Sequence, residues 1–134
     1  MVKDFIIRPA VDGDRNFIFS TWLRSFRYHG ELVRHVPNDI YYKYHQQVIE
    51  RIMARGAQAL VIADKNDINT VFGYVITEGS TVVHFAYVKK AFRRMGFLRA
   101  ALDNKTEWTF THWTAVCNQL TYKYPNLQYN PYFI

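Results

Sequence analysis

"VKKAFRRMGFLRAAL", residues 88–102, is the stretch on which the reading of this chain turns. Before it runs "TVVHFAYV", residues 81–88, rich in the β-branched and aromatic residues that strands favour. After Gly96, Phe97, Leu98, Ala101 and Leu102 recur at helical spacing. A strand therefore feeds a basic, glycine-bearing turn that opens a helix. The first turn of a helix has unpaired backbone N–H groups and the positive end of the dipole, a combination that suits phosphate. Arg93 and Arg94 add full charges beside it, and Gly96 lacks the Cβ that would hold a pyrophosphate off the backbone.

Working outward, "DFIIRPA" reads as a short strand closed by Pro9. "VDGDRNFIFSTWLRSFRYH" reads as a helix with Asp12 or Asp14 as N-cap, Phe19, Leu23 and Phe26 at helical spacing, and Ile18 and Trp22 widening the stripe. In "VPNDIYYKYHQQVIERIMARG", Tyr41, Tyr44, Val48, Ile49 and Ile52 are expected on one helical face, with Arg55 and Gly56 at the end. "ALVIAD", "TVFGYVIT" and "TVVHFAYV" are three strands with short turn-rich separators, so they are expected as antiparallel neighbours. "RMGFLRAALDN" is a helix, "EWTFT" a strand, "TAVCNQLTYKY" a helix stopped by Pro125, and "LQYNPYFI" an extended tail with a turn at Asn130-Pro131. The order β-α-α-β-β-β-α-β-α-β describes one α+β domain over residues 1–134, a mixed, mainly antiparallel twisted sheet flanked by helices.

Composition bounds the rest. The chain has 134 residues, of which 17% are aromatic, enough for a substantial core. No apolar run approaches the roughly 20 residues needed to span a bilayer, and "MVKDFIIRPA" lacks a signal-peptide h-region. The single cysteine, Cys117, forms no internal disulfide and reads as a buried small hydrophobe, so the expected compartment is the cytoplasm, or the host cytoplasm for a viral gene. A net charge of +6 favours an anionic partner without choosing among nucleic acid, acidic protein and phosphorylated cofactor. The histidines show no i,i+3 or i,i+4 pair, which argues against a metal site.

The segment "RRMGFL" resembles the Q/R-x-x-G-x-G/A motif of the GNAT superfamily of acyl-CoA-dependent N-acyltransferases, with Arg93 and Gly96 at its first two fixed positions. Leu98 stands where the second small residue of that motif falls. The flanking "YVKKAFRRMGFLRAAL", the opening "FIIRPAVDGD" and the order of elements extend the resemblance over nearly the whole chain, and the tail from "THWT" to "YNPYFI" resembles short phage-encoded members. The resemblance implies acetyl-CoA, or coenzyme A, as co-substrate. The turn from Arg93 through Arg94, Met95, Gly96 and Phe97 to Leu98 would cradle the pyrophosphate. The backbone of Tyr87 and Val88 would pair with the pantetheine arm as an added strand, and one of their N–H groups would polarise the thioester carbonyl.

Acyl transfer to an amine needs a base, a polarised carbonyl and a proton for the leaving thiolate. By the resemblance His84 is the base, acting through water; the acidic base of other members has no counterpart, since Val82 occupies that place. The alternative is a strand histidine satisfied by hydrogen bonds. Strict alternation places His84 on one face with Val82, Ala86 and Val88, opposite Val83, Phe85 and Tyr87. Tyr122 is the implied acid, with Tyr124 competing for the role. The basic, aromatic link "FRYHGELVRHVP" reads as a solvated connection or as a border of the acceptor site.

Three functions follow. The first is direct acetyl transfer to an amine acceptor, by a protein compatible with a homodimer. The second is a catalytically inactive domain of the same shape that binds a protein partner, in a virion or a host. The third is nucleic-acid binding through Lys89, Lys90, Arg93, Arg94 and Arg99.

Overall fold

The protein is described by a computed structural model covering residues 4–30, 33–102, 107–122 and 124–134. Along the chain run β1 (Phe5–Pro9), α1 (Arg15–His29), α2 (Asn38–Ala54), β2 (Gln58–Asp64), β3 (Asp67–Glu78), β4 (Val82–Val88), α3 (Phe97–Leu102), β5 (Thr109–Phe110), α4 (Ala115–Leu120) and β6 (Gln128–Tyr129). Short 3-10 turns cover Asp12–Asp14, Lys90–Phe92 and Pro131–Phe133. The six strands lie in sequence order in one sheet. β1 to β4 pair antiparallel, whereas β4–β5 and β5–β6 pair parallel. The α+β architecture and the mainly antiparallel sheet are as the sequence indicates.

Helices cover both faces of the sheet. On one face Ile18, Trp22 and Phe26 of α1 and Tyr41, Ile49 and Ile52 of α2 pack on Tyr74, Ile76 and Phe85. Trp22 stacks on Phe85 with centroids 5.5 Å apart and planes within 7°, and losing a buried ring of this size costs about 3–5 kcal/mol. On the other face α3 and α4 bring Leu102 and Cys117 onto Val75, Val83, Ala86 and Phe110, while Phe97 packs with Ile62, Phe72 and Val88.

Several local expectations are corrected. Asp14 does not cap α1 with its side chain. Its carboxylate pairs with Arg8 at 2.8 Å and accepts from the Val11 amide at 2.9 Å, tying the chain entering α1 to β1. The buried line of α1 runs through Ile18, Trp22 and Phe26, with Phe19 and Leu23 only half-buried at its margin. On α2 Tyr44 is exposed, and His45 takes the inward place between Tyr41 and Ile49. β3 begins at Asp67, so only Lys65 and Asn66 form the turn before it. α4 ends at Leu120, short of Tyr122 and Pro125. The expected end of the third helix, residues 103–104, lies outside the described residues.

Candidate functional site

The site begins where the sheet comes apart. β5 pairs with β4 at Val82↔Thr109 and Val83↔Phe110, where the Thr109 amide donates to the Thr81 carbonyl at 2.8 Å and the Thr111 amide to the Val83 carbonyl at 3.1 Å. β4 continues to Val88 without β5 beside it. Gly73↔Val88 is a non-hydrogen-bonded pair of the β3–β4 ladder, because the Lys89 amide next to it donates to the Phe72 carbonyl at 2.8 Å. The N–H and C=O of Val88 therefore point away from β3, toward the open edge, while those of Tyr87 point into the ladder. Of the two backbone positions, Val88 offers the edge amide.

Glycine at position 73 permits this approach. A Cβ there would overlap the Tyr87 carbonyl oxygen and come within 3.0 Å of the Val88 Cα. The Val88 carbonyl accepts from Arg93 Nε at 2.9 Å, which fastens the basic turn to the end of the strand. Within the turn Arg94 (φ 65°) and Gly96 (φ 82°) adopt left-handed backbone. That conformation costs a non-glycine residue about 1–2 kcal/mol and is characteristic of functional turns.

A cavity of about 410 Å3 opens beside this edge, between the basic turn and α4. Val88, Arg93, Gly96, Leu98, Leu120 and Tyr124 are among its walls. The structure thus brings Arg93, Arg94, Gly96, Phe97 and Leu98 of the predicted cradle around one space, with Arg99 also on its border, but leaves Met95 off its wall. Leu98 packs into both apolar clusters on this side of the sheet and still forms part of the wall. Met95 is half-buried and packs with Phe97 and Val88. Tyr124 is buried and faces the cavity, whereas Tyr122 is 91% exposed and is not on its wall.

His84 lies elsewhere. The β3–β4 register slips between Ile76↔Phe85 and Thr77↔Val83, leaving His84 as the extra residue of a β-bulge. A bulge breaks alternation, so Val83 joins Ala86 on the α3–α4 face, while Phe85 turns toward α1 and α2. The expected facing of Val83 with Phe85 is thereby corrected. His84 is fully buried and does not line the cavity. Its Nε2 is 2.6 Å from Glu78 Oε1 and its Nδ1 is 2.8 Å from Thr111 Oγ1. Glu78 is also held by Arg55, whose Nε lies 3.0 and 3.1 Å from its two oxygens. Burial opposes ionisation of Glu78, but the bonds from His84 and Arg55 outweigh it and hold the carboxyl below its ordinary range. For His84 burial wins over the attraction of Glu78, and the imidazole is pushed below its ordinary value and stays neutral.

Two functional-type residues were not singled out from the sequence. His112 and His45 meet through their Nε2 atoms at 2.8 Å, and His112 Nδ1 is 2.9 Å from Thr111 Oγ1. Burial lowers both imidazoles, His45 to about 4. The signal for His45 was its i,i+4 spacing from Tyr41 and to Ile49. His112 is 67 residues away from its partner, and no local pattern marks it. Among the described residues no group of His, Cys, Asp and Glu is arranged to hold a metal, and no helix is long and apolar enough to cross a membrane. Cys117 is buried, and burial raises its thiol.

No protein-family model and no curated protein matches the chain. Among solved structures it is similar to the crystal structure of a GCN5-related N-acetyltransferase from Rhodopseudomonas palustris, described as an aminotransferase of class II. The identity is 11% and the TM-score 0.46, over 75% of this chain and 65% of that one. The chain therefore spans a little under two thirds of that structure's length.

Proposed function

We propose that the protein is an acyl-CoA-dependent N-acyltransferase that takes an acetyl group from acetyl-CoA and transfers it directly to an amine. The observation that carries this reading is the free edge of β4 at Val88, bordering a cavity whose rim is the basic turn from Arg93 to Leu98. An extended pantetheine arm adds to such an edge through backbone hydrogen bonds. The turn and the arginines beside it hold the diphosphate, by charge and by outward-facing amides. With a strand rise near 3.3 Å per residue, the bulge at His84 lies about 13 Å along the edge from Val88. The thioester is held at the Val88 end of that span, beside the cavity, so His84 does not touch the reacting carbon.

In the reaction the deprotonated amine attacks the thioester carbon, the C–N bond forms, and the C–S bond breaks. The Val88 N–H stabilises the developing oxyanion. Tyr124, the tyrosine on the cavity wall, returns a proton to the thiolate, and we assign that role to it in preference to the exposed Tyr122. His84, having no exposed surface, serves as base only through its hydrogen-bonded partners.

One observation favours a second reading, a coenzyme-binding protein without transferase activity. The cavity reaches Val88 but not His84, and Ala86 between them is buried among Leu102, Phe110 and Cys117. The assay that separates the readings incubates the protein with acetyl-CoA and a panel of polyamines, lysine peptides and aminoglycosides, and follows free thiol. Thiol release that depends on the amine supports transfer. Saturable acetyl-CoA binding with no release supports the second reading, and absence of binding removes both.

A further inference from the structure

Five side chains from four parts of the chain form one unbroken line of hydrogen bonds through the core: Glu78, His84, Thr111, His112 and His45. The successive separations are 2.6, 2.8, 2.9 and 2.8 Å. Glu78 ends β3, His84 sits in the bulge of β4, Thr111 and His112 follow β5, and His45 lies on α2. The chemistry of these groups gives the line a direction. An ionised carboxylate accepts and cannot donate, so Nε2 of His84 must carry its hydrogen. A neutral imidazole then has an acceptor at Nδ1, which takes the Thr111 hydroxyl hydrogen. The Thr111 oxygen in turn accepts from Nδ1–H of His112. That leaves His112 Nε2 to accept from Nε2–H of His45. Every hydrogen points toward Glu78, and His45 Nδ1 remains as an acceptor with no partner among the described residues.

We propose that these five residues are a directed proton relay, which couples protonation of His45 on α2 to the ionisation of Glu78 at the protein surface. A proton taken from solvent by His45 Nδ1 releases Nε2–H to His112 Nε2. The Nδ1 hydrogen of His112 passes to the Thr111 oxygen, the Thr111 hydrogen to His84 Nδ1, and the Nε2 hydrogen of His84 to Glu78 Oε1. One proton enters, one carboxylate becomes a carboxylic acid, and each of the three imidazoles ends as the opposite tautomer. No residue inside the core keeps a charge. Return of the Glu78 carboxyl proton to His84 Nε2, with reverse transfer through the line and loss of one proton from His45 Nδ1 to solvent, restores the starting state.

The surroundings suit this role. Arg55 holds Glu78 ionised at rest, with its Nη2 also donating to the Phe133 carbonyl at 2.7 Å. Tyr41 stacks on His45 with centroids 5.2 Å apart, and burial keeps its phenol protonated. Cys117 Sγ lies 3.7 Å from the His112 carbonyl, and burial keeps it a thiol. Among the described residues the line therefore meets one anion, Glu78, at one end. The inference does not depend on the acyl-transfer reading, because it requires no ligand in the cavity.

The test is imidazole ¹⁵N NMR at neutral pH on the whole protein. The wild type is expected to show Nε2–H at His84, Nδ1–H at His112 and Nε2–H at His45; any other set overturns the proposal. In Glu78→Gln the amide oxygen faces Arg55 and the amide N–H faces His84, as in the protonated acid. All three tautomers are then expected to reverse. A change confined to His84 overturns the relay. In the double variant Glu78→Gln with Thr111→Val the line is cut, so His112 and His45 should match Thr111→Val alone. Thr111→Ser keeps the hydroxyl and should transmit the Glu78→Gln change in full; failure there also contradicts the proposal. Should the valine variants not fold, the wild-type, Glu78→Gln and Thr111→Ser spectra decide it.

Discussion

Arg93 turns back along the chain to donate its Nε hydrogen to the carbonyl of Val88 at 2.9 Å, joining the basic turn to the strand edge it follows. The guanidinium thus fixes the turn and charges the cavity at once. Arg93→Ala is expected to weaken acetyl-CoA binding about tenfold, or about 1.4 kcal/mol, as measured by calorimetric titration. Arg93→Lys retains the charge without the planar fork and should fall between the two. Unchanged affinity in both variants would remove Arg93 from the site.

Two glycine-to-alanine substitutions near the site should act through different physics. At Gly73 the new methyl collides with the β4 backbone at Tyr87 and Val88. Gly73→Ala should cost about 2 kcal/mol or more and also impair binding at the Val88 edge. At Gly96 nothing lies within 4 Å of the added Cβ, but the backbone φ is +82°. Gly96→Ala should cost about 1 kcal/mol through conformation alone. Urea denaturation of the two variants gives both figures, and equal losses would contradict the distinction.

Tyr124 and Tyr122 are separated by exposure. Tyr124→Phe is expected to lower the rate of amine acetylation about a hundredfold or more while leaving acetyl-CoA affinity in place. Tyr122→Phe is expected to change neither, since its ring is 91% exposed. Steady-state rates at saturating acetyl-CoA make the comparison, and the reverse order of effects would restore Tyr122 to the role.

The buried imidazoles should make the fold acid-sensitive. Burial holds His45 at about 4, against an ordinary 6.5. Between these values the unfolded chain binds more protons than the folded one, so stability rises with pH through the window and is complete above 6.5. Lowering the pH from 7 to 4.5 should cost about 2–3 kcal/mol from His45 alone. His84 and His112, both lowered chiefly by burial, act in the same direction. Urea midpoints at the two pH values measure the loss, and equal midpoints would mean that His45 is solvated.

The order of elements was legible because strand and helix segments here differ in residue type: β2 to β4 are built from β-branched and aromatic residues, and the helices carry apolar stripes at their own period. The turn from Arg93 to Leu98 was legible for the same local reason, since its chemistry lies in six consecutive residues. What sequence missed depends on contacts between distant segments. Strict alternation assigned the wrong facing around His84, because a bulge is set by the register with β3 and leaves no mark in the pattern of β4. Tyr44 looked like the better core residue than His45, yet the histidine turns inward to meet His112, 67 residues later. Asp14 read as a helix cap until Arg8, on the adjoining strand, claimed its carboxylate.

The central claim is that the cavity beside Val88 receives the pantetheine and diphosphate of an acyl-CoA, and calorimetric titration of the purified protein with acetyl-CoA tests it most directly. The account predicts saturable one-to-one binding that is competed by coenzyme A and weakened in Arg93→Ala. No heat of binding at millimolar acetyl-CoA, or binding that Arg93→Ala and Gly73→Ala both leave unchanged, would contradict it.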